Sequence, residues 1–114
     1  MSIKGESVKK DIVLKPSKEI FDMYADINTR FKQAYGKKHT SPEGKILYSK
    51  IDEAKQRFKE ILEDEYEFKG ITDITVGYAT DRSRMMMYVS FGSGDCRIKV
   101  SDNEMIIENV FMYK

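Results

Sequence analysis

The sequence predicts an α+β domain, in which an N-terminal antiparallel helix pair packs on a C-terminal four-stranded antiparallel meander, with a short N-terminal strand ahead of both. Three observations carry this reading. Apolar residues recur at three- and four-residue steps from Ile20 to Ile61. After Gly70 they switch to strict alternation. The connections between the alternating runs are short and rich in turn formers, as antiparallel hairpins require. The 114 residues are of single-domain size. Residues 1–114 therefore read as one unit, with 1–10 flexible, helices over 16–36 and 41–68, and sheet over 71–114.

Ile12, Val13 and Leu14 form a short apolar run that Lys15-Pro16 terminates, which suits an edge strand or a tucked arm. The first helix starts near Pro16-Ser17, because the N–H that proline lacks would have no partner there. Ile20, Tyr24, Ile27, Phe31 and Ala34 then trace one apolar stripe, and Gly36 can adopt the left-handed conformation that ends it. Ser41 is placed to cap the second helix, with Pro42 and Glu43 both suited to its first turn. Leu47, Ile51, Ala54, Phe58 and Ile61 follow at alternating steps of four and three. That seam is too short for an intermolecular coiled coil, which needs about three or four heptads. The connector Lys37 to Thr40 is short enough to force the helices into an antiparallel hairpin. Taken to Tyr66, the second helix is roughly 37 Å long at about 1.5 Å per residue, enough to cross the whole domain.

In the second half, Ile74, Val76 and Tyr78 alternate with Thr75 and Gly77, and Asp81-Arg82-Ser83-Arg84 turns the chain. Met85 to Gly92 is the next strand, and Gly92-Ser93-Gly94-Asp95 is a hairpin signal. Cys96, Ile98 and Val100 alternate with Arg97 and Lys99, Ser101 to Glu104 turns again, and Met105 to Tyr113 closes the sheet. The helix seam from Leu47 through Phe58 to Leu62 is expected to pack on Met87, Val89, Phe91, Ile98 and Val100.

Composition excludes several functions. Lys and Arg number 20 against 19 Asp and Glu, so the chain lacks the basic excess of a protein that holds nucleic acid by bulk charge. Cys96 is the only cysteine and His39 the only histidine, which rules out an internal disulfide and the thiolate and imidazole sets of structural zinc sites. No stretch approaches the ~20 apolar residues that span a bilayer, and the first residues lack an apolar leader; the expected location is cytoplasmic, without membrane association. Seven tyrosines, six phenylalanines and seven methionines supply enough apolar material for a folded core.

No catalytic, cofactor or metal residues emerge, and an enzyme is not expected. Gly92 to Asp95 lacks the helix and lysine of a phosphate loop, and Ser83 has no neighbouring base. Glu63, Asp64, Glu65 and Glu67 crowd a helix C-terminus, where the dipole disfavours acids, but such runs are usually solvated faces.

The informative anomaly is that two strands are apolar on both faces. Met85, Met87, Val89 and Phe91 share one face of their strand and Met86 and Tyr88 the other; Met105, Ile107 and Phe111 oppose Ile106, Val110 and Met112. An antiparallel sheet covered on one side normally turns polar residues to the open side. Something is expected to cover the second face, whether the arm through Ile12 to Leu14, a second copy of the chain in a homodimer, or another protein. The candidate partner-binding residues are Met86, Tyr88, Arg97, Lys99, Ile106, Val110 and Met112. Small size, absence of tryptophan and a Lys-, Met- and Tyr-rich composition resemble phage and mobile-element accessory proteins, which implies binding to a host macromolecule. The function expected is a non-enzymatic protein-binding module, a regulator or inhibitor. The alternative is a nucleic-acid binder that stacks bases on Tyr88 beside Arg97 and Lys99, with Arg82, Arg84, Lys37 and Lys38 adding loop charge.

Overall fold

The structure is a computed structural model that describes residues 3, 11–78, 85–92 and 94–112, with the backbone alone for 109–112. The chain runs β1 (Ile12–Leu14), α1 (Lys18–Ala34), α2 (Pro42–Glu65), β2 (Ile71–Tyr78), β3 (Met85–Phe91), β4 (Gly94–Val100) and β5 (Met105–Met112). The expected turn at Asp81 to Arg84, the flexibility of 1–10 (Ile3 apart) and the end of the last strand at Tyr113 lie outside the described residues.

Both helices begin where a serine hydroxyl meets a free amide. Ser17 Oγ accepts from Ile20 N at 3.2 Å and Ser41 Oγ from Gly44 N at 3.0 Å, each satisfying one of the amides that a helix start leaves unpaired. The two helices form an antiparallel hairpin, and a tyrosine hydroxyl latches each end. Tyr66 Oη accepts from Ser17 N at 2.8 Å, tying the end of α2 to the start of α1. Tyr48 Oη donates to the Ala34 carbonyl at 3.2 Å, tying the start of α2 to the end of α1. Arg30 Nη1 to the Lys50 carbonyl, at 2.7 Å, and the exposed Arg57–Glu19 ion pair bind the sides between.

The connector also depends on a glycine. A Cβ on Gly44 would stand 1.8 Å from the Lys38 carbonyl oxygen, so the loop lies directly on the first turn of α2.

α2 ends short of the expected position 68. Glu67 adopts a left-handed φ of 55°, which breaks the helical path, while Phe68 N still reaches the Leu62 carbonyl at 3.1 Å. Phe68 is then buried and pairs with Ile3, whose N–H donates to the Glu67 carbonyl at 2.9 Å.

The sheet has five strands in the order β1-β5-β4-β3-β2, all antiparallel. The Ile12 to Leu14 segment is therefore an edge strand on β5, not an arm lying across the sheet. Met87, Val89 and Phe91 of β3, Ile98 of β4 and Ile107 of β5 sit on the inner face with Phe58, Ile61 and Leu62 of α2 in one core. Val100 packs at the margin of this core, and Leu47 is only half-buried. Phe58 and Leu62 have no exposed surface, so the α2 seam is what keeps the inner face dry. α2 lies over β2 and α1 over β4. At about 1.5 Å per residue the 24-residue α2 spans nearly the full 42 Å length of the molecule.

Replacing Gly44 by alanine is expected to cost about 1–3 kcal/mol of unfolding free energy in urea denaturation, the usual range for overpacking. Gly77→Ala, where a Cβ meets nothing within 4 Å, is expected to leave stability unchanged.

Candidate functional site

With both helices on one side, the other side of the sheet is surfaced by the alternate residues of each strand. The pairing sets them in rows. Thr75, Tyr88, Arg97 and Glu108 lie in line across β2, β3, β4 and β5. Lys99, Ile106 and Val13 form the neighbouring row across β4, β5 and β1. Val13 is 59 % exposed; Tyr88 and Ile106 are half-buried.

Glu108 organises this face. Its Oε2 accepts from Arg97 Nε at 2.8 Å and Nη2 at 2.5 Å, and its Oε1 lies 2.9 Å from Lys99 Nζ. The Glu108 side chain is only 17 % exposed, so these bonds act with reduced solvent screening. The hydrogen bond from Lys99, and then that from Arg97, hold the Glu108 carboxyl below its ordinary value. Bonding to Glu108 in turn raises Arg97.

The sequence-predicted residues are distributed unevenly. Tyr88, Arg97, Lys99 and Ile106 lie together on the outer face. Met86 shares their strand alternation but is only 9 % exposed, so it offers little contact area. A register shift in the β4–β5 pairing pairs Cys96 with Asn109 and Asp95 with Phe111, skipping Val110, so Met112 comes opposite Gly94. Such a bulge breaks the alternation read through this stretch; the side chains of Val110 and Met112 lie outside the described residues.

The remaining sequence candidates have structural roles or none. Cys96 is fully enclosed on the inner face, where burial foremost, and then Asp95, push its thiol up to about 12. A thiol so rarely ionised is no nucleophile. His39 is exposed and stacks on Tyr48, with ring centroids 3.7 Å apart. Of the acidic run, Glu65 accepts from the Ser17 hydroxyl at 3.2 Å. Among the described residues no three acidic, histidine or cysteine side chains converge on a point that a metal ion could occupy, and no helix is long and apolar enough to cross a membrane.

A second feature adjoins the outer face. The β3–β4 pairing begins at Met87–Ile98, although β3 starts two residues earlier at Met85 and β4 continues two further to Val100. Over the same stretch, β2 stays paired to Met85 and β5 to Val100. The sheet thus parts between its central strands, and a cavity of about 380 Å³ occupies the gap. Met85 and Met86 form one wall and Lys99 and Val100 the other, with Tyr24, Asn28 and Lys32 of α1 also lining it. Sequence reasoning missed Asn28. The available signal was its place at a four-residue step between Tyr24 and Lys32, on the margin of the apolar stripe.

Comparison of the chain with protein-family models, with curated proteins and with solved structures finds no match. Function is therefore argued from the geometry alone.

Because the folded-state Glu108 carboxyl sits below its unfolded value, its contribution is full above the ordinary carboxylate range, near pH 4.3, and is lost as pH falls through the folded value. Glu108→Gln is expected to lower stability by about 1–2 kcal/mol at pH 7. The difference from wild type should shrink progressively below about pH 4, as followed by urea denaturation across pH.

Proposed function

We propose that this chain is a non-enzymatic protein-binding module, a cytosolic regulator or inhibitor of another macromolecule, that docks through the outer face of its sheet. The observation that carries the reading is the make-up of that face. An aromatic side chain, Tyr88, and two aliphatic ones, Ile106 and Val13, accompany an ion cluster in which Arg97 and Lys99 are both held by Glu108. Protein interfaces combine such apolar anchors with satisfied polar groups, and tyrosine is enriched among the residues that dominate their energy. No described helix covers this side, so the anchors keep part of their surface in solvent.

The nucleic-acid reading ranks second, on a specific observation. Among the described residues Arg97 and Lys99 are the cations beside Tyr88, and both are bound to Glu108. Asp95 and Asp73 stand further along the same face. A phosphate backbone would have to displace Glu108 and approach these carboxylates, which removes the electrostatic gain that nucleic-acid binding rests on.

The experiment is affinity capture from a native lysate beside a size-exclusion mass measurement. Wild-type protein is expected to retain a partner in stoichiometric amount, and the Tyr88→Ser and Val13→Asp/Ile106→Thr variants are expected to lose it while melting as cooperatively as wild type. Capture that is indifferent to these changes would discard the proposal. A dimer that Val13→Asp splits would make a second copy the occupant. Salt-sensitive retardation of single-stranded RNA, lost in Arg97→Ala and Lys99→Ala, would instead establish the second reading.

A further inference from the structure

We propose that the crevice between β3, β4 and α1 is a binding site for a small organic carboxylate with an apolar body and a hydroxyl donor at its inner end. The inference does not depend on the protein-docking reading; it rests chiefly on Asn28 and Lys32, although Lys99 and Ile106 border both the crevice and the outer face.

The first consideration is room. A cavity of about 380 Å³ falls within the range of roughly 300–1,000 Å³ that small-molecule sites occupy. It forms where two adjacent strands stop pairing before either ends, so it is built into the backbone and does not depend on the rotamer of one side chain.

The second is an unmet hydrogen bond. Asn28 lines the crevice, and its Oδ1 is fully buried without a hydrogen-bond partner. A buried acceptor left unpaired opposes folding, and native structures retain few of them. A turn of the amide about its Cβ–Cγ bond would bring Oδ1 to the crevice, where an O–H donor would supply what the fold leaves out.

The third is charge. Lys32 follows Asn28 by one helical turn, on the same face of α1, and forms no ion pair with a described residue. On the opposite wall Lys99 shares Glu108 with Arg97, leaving a surplus positive charge there. Glu104 is the only acidic group lining the crevice among the described residues and offsets just part of this. The balance favours an anion, directed towards Lys32. Met85, Met86, Val100 and Ile106 supply apolar lining. Methionine adapts readily to an aromatic or branched body. A ligand with a hydroxyl at one end, an apolar middle and a carboxylate at the other meets all three requirements.

The test is a titration of 3-(4-hydroxyphenyl)propionate into isotopically labelled protein, read from backbone amides and methionine methyls by NMR. Saturable shifts are expected at Asn28 and at the Met85 and Met86 methyls. 3-Phenylpropionate, which lacks the donor, should bind about tenfold more weakly, and tyramine, which carries a cation in place of the carboxylate, should not saturate. Lys32→Gln should also weaken the hydroxylated acid by about tenfold. Asn28→Leu provides the independent readout. With the orphaned acceptor removed, the free protein should melt at a higher temperature and no longer distinguish the two acids. The proposal is overturned by absence of saturable shifts at millimolar ligand, by shifts confined to other residues, by retained discrimination in Asn28→Leu, or by a lower melting temperature for that variant.

Discussion

The α2 seam packed on the inner face of the sheet is the constraint from which the rest follows. Phe58, Ile61 and Leu62 project from one side of a helix almost as long as the molecule, and they enclose Met87, Val89, Ile98 and Ile107 beneath them. The hairpin brings α1 down on the same side, latched by Tyr48 and Tyr66. Burial of apolar surface is the main favourable term in folding, and here it is confined to one side of a five-stranded layer. The opposite side must then be stabilised by what its own residues can do. Glu108 provides this by drawing Arg97 and Lys99 together over the central strands.

The same one-sided design explains why the sheet can open at one end. Where β3 and β4 part, the inner side is still roofed by α1, with Tyr24, Asn28 and Lys32 overhead, but among the described residues the outer side has no second layer to press the strands together. Met86 lines the gap and is almost enclosed, although it belongs to the outer alternation. The outer face and the crevice thus share a border along Lys99 and Ile106, on the side that no described helix covers.

Much of this was legible in the sequence because it depends on local periodicity. Steps of three and four, serines before each helix, a switch to alternation after Gly70 and polar four-residue turns are statements about neighbours along the chain. The antiparallel helix pair, the meander and the grouping of Tyr88, Arg97, Lys99 and Ile106 on one side follow from them, whereas Ile12 to Leu14 read equally as an edge strand or a tucked arm, and only the pairing with β5 decides between the two. What escaped depends on residues far apart in sequence. The bulge that skips Val110 is a property of the β4–β5 pairing, and alternation within β5 alone cannot reveal it. The fate of Met86 depends on where β3 leaves β4. The Glu108 cluster joins residues nine and eleven positions apart in the chain, and the orphaned Asn28 amide becomes visible only once the strands beneath α1 are placed. The three successive methionines from Met85 were read as two apolar faces, whereas two of them, Met85 and Met86, line a gap between strands.

The central proposal is that Tyr88 and Ile106 keep part of their surface in solvent in the isolated chain and are covered by a protein partner where the chain acts. Hydroxyl-radical footprinting tests this most directly, comparing purified protein with the same protein equilibrated in native lysate. The account predicts strong oxidation of Tyr88 and Ile106 in isolation and marked protection of both in the lysate, with enclosed Phe58 unreactive in either case. Equal labelling of Tyr88 and Ile106 under the two conditions, or their protection in the purified monomer, would contradict it.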